Sequence, residues 1–109
     1  MDWRERIESA DRVGIAGISL FEVARLSEHN RITLSEKADG WMEKATGGSG
    51  IEVLPLSPRM AHRSVALPWH HKDPQDRIII ATALVWDAHL MSADTTFRLY
   101  AELQSKLIG

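Results

Sequence analysis

Three acidic residues stand at or near the start of a predicted helix: Glu22, Asp76 and Asp94. In an α/β sheet the working site lies at the carboxyl ends of the strands, where the helices begin, so we expect the three carboxylates to converge at one edge. Converging carboxylates repel each other, and a ligand set made only of oxygen favours Mg²⁺ or Mn²⁺ over zinc. The pattern therefore predicts a metal site for phosphoryl transfer or hydrolysis.

Each acid also has a structural interpretation. Ser19 and Glu22 have the spacing of a capping box, in which the glutamate accepts the backbone N–H of the serine. Asp76 falls at the third position of a helix that Asp73 is placed to cap, where an acid complements the helix dipole. Asp94 is placed to cap the helix that follows it. For any one acid these interpretations are favoured, and only the three acids together favour a metal site.

The elements that must position these acids alternate along the chain. Short apolar strands and helical segments follow one another, as in a parallel sheet covered by helices. The predicted strands are 13–18, 51–56 and 90–93, and the predicted helices are 19–28, 35–45, 57–67, 74–86 and 95–103. Residues 46–50 form a flexible, glycine-rich connector. No repeat or internal linker interrupts the pattern, so residues 1–109 are expected to form one α/β domain.

Composition excludes several classes of protein. The chain has 109 residues, of which 44% are hydrophobic and 26% charged, as in an ordinary globular domain rather than a disordered one. No apolar run approaches the roughly 18 residues of a membrane span, and the charged N-terminus does not resemble a signal peptide, so we expect a cytoplasmic protein with no membrane partner. The absence of cysteine excludes disulfides and thiolate catalysis.

Several basic side chains near Asp76 have two interpretations each. His71 and Lys72 either contact a phosphate at the rim of the site or belong to a solvated loop. Arg77 is expected to pair with an acid in preference to binding RNA phosphate. The five histidines lack the helical spacing of a zinc-binding pair, so a zinc site is not expected.

Three segments resemble the PIN domain, the nuclease fold of the VapC toxins of bacterial toxin–antitoxin pairs. Residues 71–83 are similar to the family's HxDPxDRxxxAxA stretch, and residues 18–24 are similar to its ISxxExA segment. Residues 92–94, with Phe97 and Tyr100, resemble its TAD..F..Y segment. Order and spacing agree over residues 13–100, which is nearly the whole chain.

The resemblance implies a three-layer α/β fold in which helices flank a parallel sheet. It also implies a ribonuclease that depends on Mg²⁺ or Mn²⁺ and acts as the toxin of a type II toxin–antitoxin pair. Glu22, Asp76 and Asp94 take the role of catalytic, metal-binding acids, and Asp73 caps the helix beside them. The expected partners are an RNA substrate, a cognate antitoxin and a second copy of the chain in a homodimer.

One departure from the family pattern lies at the N-terminus. PIN domains begin with a strand that ends in a metal-binding aspartate, whereas residues 1–4 stand in a helical lead-in to the strand at 13–18, and Asp2 does not take that role. We therefore expect an N-terminally incomplete PIN-like domain that cuts RNA poorly or not at all. The uncharged strands 13–18 and 90–93 are expected to pair directly or with another chain. The alternative function is a non-catalytic PIN remnant that self-associates or binds an antitoxin.

Overall fold

A computed structural model describes residues 2–109 of the chain. The chain divides into two compact units, Met1–Pro55 and Leu56–Gly109. Each unit contains one pair of parallel strands together with its helices. The predicted α/β class with parallel strands is therefore confirmed. The strands predicted at 13–18 and 90–93 do not pair with each other, because each is paired with another strand of its own unit.

The first unit is built around a short parallel sheet. Its elements are α1 (Trp3–Ser9), β1 (Val13–Ala16), α2 (Gly17–Glu28), α3 (Ala38–Thr46) and β2 (Ile51–Leu54). β1 pairs with β2, with Val13 opposite Ile51 and Ala16 opposite Leu54. Pro55 has no backbone N–H to donate, so β2 ends directly before it. Both strands predicted in this unit are confirmed, although β1 is shorter than expected because α2 begins at Gly17.

The second unit holds the helices that carry Asp76 and Asp94. Its elements are α4 (Pro58–Ala66), α5 (Pro74–Val85), β3 (Leu90–Met91), two 3₁₀ helices (Thr95–Leu99 and Ala101–Leu103) and β4 (Leu107–Ile108). β3 and β4 pair in parallel, with Leu90 opposite Leu107. β4 was not predicted, because a two-residue apolar run is too short to show a strand pattern.

The predicted final helix at 95–103 is wrong in type. The segment forms two 3₁₀ helices, and Tyr100 stands between them with an extended backbone, φ −87° and ψ 111°. Tyr100 is completely buried, as are Ile80 and Leu103 beside it in the core. Burial of this large side chain outweighs the continuity of an α-helix, whose propensity is only a weak preference.

Side-chain caps begin both α-helices of the second unit, and the cap predicted at Asp73 is confirmed. The hydroxyl of Ser57 accepts the backbone N–H of Met60 at 3.2 Å, and a carboxylate oxygen of Asp73 accepts that of Gln75 at 2.9 Å. A proline follows each cap at the first helical position, where no N–H is needed. These caps fix where α4 and α5 begin.

The core of the second unit lies against α5. Five apolar side chains form the buried cluster, and Leu84, Leu90 and Leu107 pack against it: Leu67, Ile80, Phe97, Tyr100 and Leu103. The helix predicted at 74–86 therefore lies at the centre of this unit. None of the helices within residues 2–109 is both long enough and apolar enough to cross a membrane.

Candidate metal centre

Two of the three predicted acids lie together in the second unit. Asp76 is the third residue of α5, and Asp94 is the cap of the 3₁₀ helix Thr95–Leu99. With His71 they form a cluster in which each residue offers one ligand atom and all three atoms lie within 4.8 Å of one another. Both acids thus have the structural position predicted for them at the start of a helix, and both also face a common site.

His71 connects the two acids. Its Nε2 lies 3.1 Å from Oδ2 of Asp94 and 4.0 Å from Oδ2 of Asp76. The His71 side chain is 9% exposed, whereas those of Asp76 and Asp94 are 32% and 40% exposed. The interpretation of this residue as part of a solvated loop is therefore wrong.

Aromatic packing explains why His71 is buried. Its ring stacks on Tyr100, with centroids 5.6 Å apart and planes 11° apart, and meets the ring of Phe97 at 4.9 Å. Sequence reasoning left His71 out of the metal-binding set. In the sequence, Phe97 and Tyr100 stand out only as parts of a motif, and nothing local indicates that they enclose a histidine more than 25 residues earlier.

Asp94 is held at both carboxylate oxygens. Oδ1 accepts the backbone N–H of Thr96 at 2.9 Å, and Oδ2 faces His71. The hydrogen bond from Thr96 is the main cause of a lowered pKa for Asp94; burial opposes this shift, and His71 adds to it. Asp94 is therefore ionised at neutral pH, as a metal ligand must be.

The lowered pKa of Asp94 predicts an acid-dependent loss of stability. A carboxyl group whose folded pKa is below its unfolded value stabilises the fold above the unfolded pKa, and this stabilisation disappears as pH falls through the folded pKa. We expect wild type to be more stable than Asp94→Asn at pH values above the ordinary pKa of an aspartate, about 3.9, and the difference to shrink as pH falls through the lowered folded pKa. Asparagine retains the capping ability of the residue. Urea unfolding of the metal-free proteins across this range measures the difference, and a difference independent of pH would contradict the assignment.

The prediction that Arg77 pairs with an acid is wrong, because its hydrogen-bond partners among residues 2–109 are backbone carbonyl oxygens. Arg77 is 3% exposed, and its guanidinium donates to backbone carbonyl oxygens of the segment that precedes α5. The acceptors are the carbonyl oxygens of Val65, Leu67, Pro68 and His71, at 2.7 to 3.3 Å. The ring of Trp69 covers the guanidinium at 3.6 Å. Arg77 therefore organises the loop that carries His71.

Glu22 lies on α2 in the first unit. The predicted capping box with Ser19 is wrong, because α2 begins at Gly17 and its cap, Ala16, makes no side-chain hydrogen bond. Glu22 instead accepts two hydrogen bonds from the guanidinium of Arg25, at 3.1 and 2.6 Å. These bonds are the main cause of its lowered pKa. Its role as a metal-binding acid remains a prediction from the resemblance.

The cluster in the second unit fits a divalent cation. The carboxylates of Asp76 and Asp94 lie together there, and a backbone hydrogen bond lowers the pKa of Asp94. Both side chains are partly exposed, so an ion can reach them from water. Carboxylate oxygens are the ligands that Mg²⁺ and Mn²⁺ prefer. Parallel strands, helices and paired carboxylates at helix starts thus define an α/β protein with a candidate divalent-metal site.

Comparison with known proteins assigns the family. The model of the PIN domain family matches residues 1–103. Ribonuclease VapC22 of Mycobacterium tuberculosis is 35% identical over 95 residues, which span 86% of this chain and 72% of that relative. No solved structure matches the chain. The chain belongs to the PIN domain family, and the resemblance seen in the sequence is confirmed.

Proposed function

We propose that this protein is an endoribonuclease of the VapC type, dependent on Mg²⁺ or Mn²⁺ and acting as the toxin of a toxin–antitoxin pair. The observation that carries the proposal is the meeting of Asp76, Asp94 and His71 in a chain of the PIN family. Its relative VapC22 is named a ribonuclease, which supports RNA as the substrate. The cognate partner is an antitoxin protein, and the site of action is the cytoplasm.

Acidic side chains are the proposed metal ligands of the site. Asp76 and Asp94 would hold the ion through their carboxylate oxygens. Glu22, which lies on α2, is a further acid that the resemblance adds. When bound, a divalent ion in such a site activates water and stabilises negative charge on a phosphodiester. Asp94 is kept ionised by Thr96, and the loop clamped by Arg77 keeps His71 beside it. The net charge of −2 gives no bulk attraction for RNA. The positive charge of an ion held by these acids would offset their repulsion of the RNA phosphates.

Cleavage of labelled RNA tests the proposal. We expect cutting of RNA by this chain to be slow, because it departs from the family pattern at the N-terminus, but to require Mg²⁺ or Mn²⁺ and to stop when EDTA removes the ion, because the acids cannot stabilise an anionic phosphodiester alone. Glu22→Gln tests the third acid, with Glu28→Gln at the end of the same helix as its control. Absence of metal-dependent cleavage at any enzyme concentration would favour the alternative of a non-catalytic PIN protein that binds an antitoxin.

We also propose that the protein forms a homodimer through the sheet of the first unit. Within residues 2–109, β2 pairs with β1 alone. Two apolar residues of β2, Ile51 and Val53, are exposed, and the exposed fraction of Val53 is 39%. An apolar strand edge of this kind readily pairs with another chain. Sedimentation at micromolar concentration should show a dimer for wild type and a monomer for Val53→Lys. Leu99→Lys, an exposed apolar position in the second unit, should leave the dimer intact. A monomeric wild type, or a dimer that survives Val53→Lys, would contradict this surface.

A further inference from the structure

The hydrogen-bond chain from the buried Tyr100 through His71 to the partly exposed Asp94 assigns His71 a role of its own. We infer that the Tyr100 hydroxyl holds His71 in the tautomer with its proton on Nε2, so that His71 positions the Asp94 carboxylate and does not itself bind the metal. The inference rests on the proposed metal-dependent function, and it names a positioning residue outside the acids assigned to the site.

The hydroxyl of Tyr100 fixes the direction of the first hydrogen bond. It accepts the backbone N–H of His71 at 3.1 Å and lies 3.1 Å from Nδ1 of the same residue. These are its two hydrogen-bond partners among residues 2–109, and Tyr100 is 0% exposed. No buried side-chain N or O atom in this part of the chain lacks a partner. The phenolic proton therefore goes to Nδ1, since a buried donor without an acceptor costs more than a hydrogen bond contributes.

The state of Nδ1 determines the state of Nε2. A neutral imidazole that accepts at one ring nitrogen carries its proton on the other. Nε2 then donates to Oδ2 of Asp94 across 3.1 Å. A nitrogen that carries a proton has no lone pair for a cation, so His71 in this tautomer is not a ligand.

Asp94 gains a fixed orientation from this arrangement. Thr96 holds one of its oxygens and His71 holds the other, while each oxygen keeps further lone pairs for an ion. The His71 ring is in turn fixed by its packing on Tyr100 and Phe97. Hydrogen bonds that orient a ligating carboxylate commonly change metal affinity by about 10- to 100-fold.

The tautomer can be measured before any metal is added. Long-range ¹H–¹⁵N correlation spectra of the metal-free protein at about pH 8 should show the His71 proton on Nε2. Tyr100→Phe keeps the ring and its packing but removes the hydroxyl, so the preference for this tautomer should weaken. A proton on Nδ1 in wild type would overturn the inference without touching the proposed metal site.

Manganese affinity tests the positioning role. Titration calorimetry should show about 10- to 100-fold weaker Mn²⁺ binding for His71→Ala. His71→Gln should stay within about threefold of wild type, because the glutamine amide can donate where Nε2–H does. His70→Ala, which changes the neighbouring histidine at the edge of Tyr100, is the matched control and should bind like wild type.

The outcomes separate the inference from the proposed function. Unchanged affinity in His71→Ala would remove the positioning role while the metal site stands. Equal losses in His71→Ala and His71→Gln would make His71 a metal ligand and overturn the inference. Failure of wild type to bind Mn²⁺ would remove the proposed metal site, and the role of His71 with it.

Discussion

Asp76→Asn should abolish the stabilisation of this protein by Mn²⁺ and lower RNA cleavage at least about 100-fold. Asp76 supplies one of the two carboxylates of the cluster, 4.0 Å from the histidine that also faces Asp94. Asparagine keeps the shape of the side chain but removes the charge, and a neutral amide is a poor substitute for a carboxylate ligand. A ligand that binds only the folded state stabilises it by about 2.7 kcal/mol at 100 times its Kd, which raises the melting temperature by several degrees.

Melting curves recorded with and without Mn²⁺ measure this effect. Asp39→Asn is the matched control, since Asp39 is also an acid in the first turn of a helix, α3, in the first unit. The control should keep the full Mn²⁺ shift. A melting temperature that Mn²⁺ does not change in wild type, or an equal shift in Asp76→Asn, would contradict the metal site.

Arg77→Lys should destabilise the protein by about 2–4 kcal/mol, although it keeps the positive charge. The buried guanidinium donates to four carbonyl oxygens between Val65 and His71. The single ammonium group of lysine, on a shorter side chain, cannot donate to all four. Buried carbonyls would then lose their donors, and the packing of the planar group under Trp69 would also be lost. Because these carbonyls belong to the loop that carries His71, Mn²⁺ binding should weaken as well.

Urea unfolding followed by circular dichroism measures the change in stability. Arg59→Lys on α4 is the control, because Arg59 is exposed and the same substitution should change stability by less than about 0.5 kcal/mol. Equal stability of Arg77→Lys and wild type would show that the carbonyl contacts contribute little.

The parts of the fold that the sequence predicted depend on neighbours in the chain. The helix starts at Ser57 and Asp73 follow from a cap, a proline and a backbone N–H two or three residues away. The strands around Val13 and Ile51 follow from short apolar runs bounded by turn residues. Asp76 and Asp94 could be singled out for the same reason, since their place at a helix start is visible locally.

The features that the sequence could not determine depend on distant partners. His71 reaches Asp94 across 23 residues, and its burial requires aromatic rings from a segment that propensity predicted as an α-helix. Arg77 was expected to pair with an acid, but the loop before α5 folds back and offers carbonyl oxygens up to 12 residues away. Local sequence patterns determine which nearby side chain accepts the hydrogen bond of a backbone N–H at a helix start. Only the tertiary structure decides which buried polar groups meet, because a buried donor takes whichever acceptor packing places within reach.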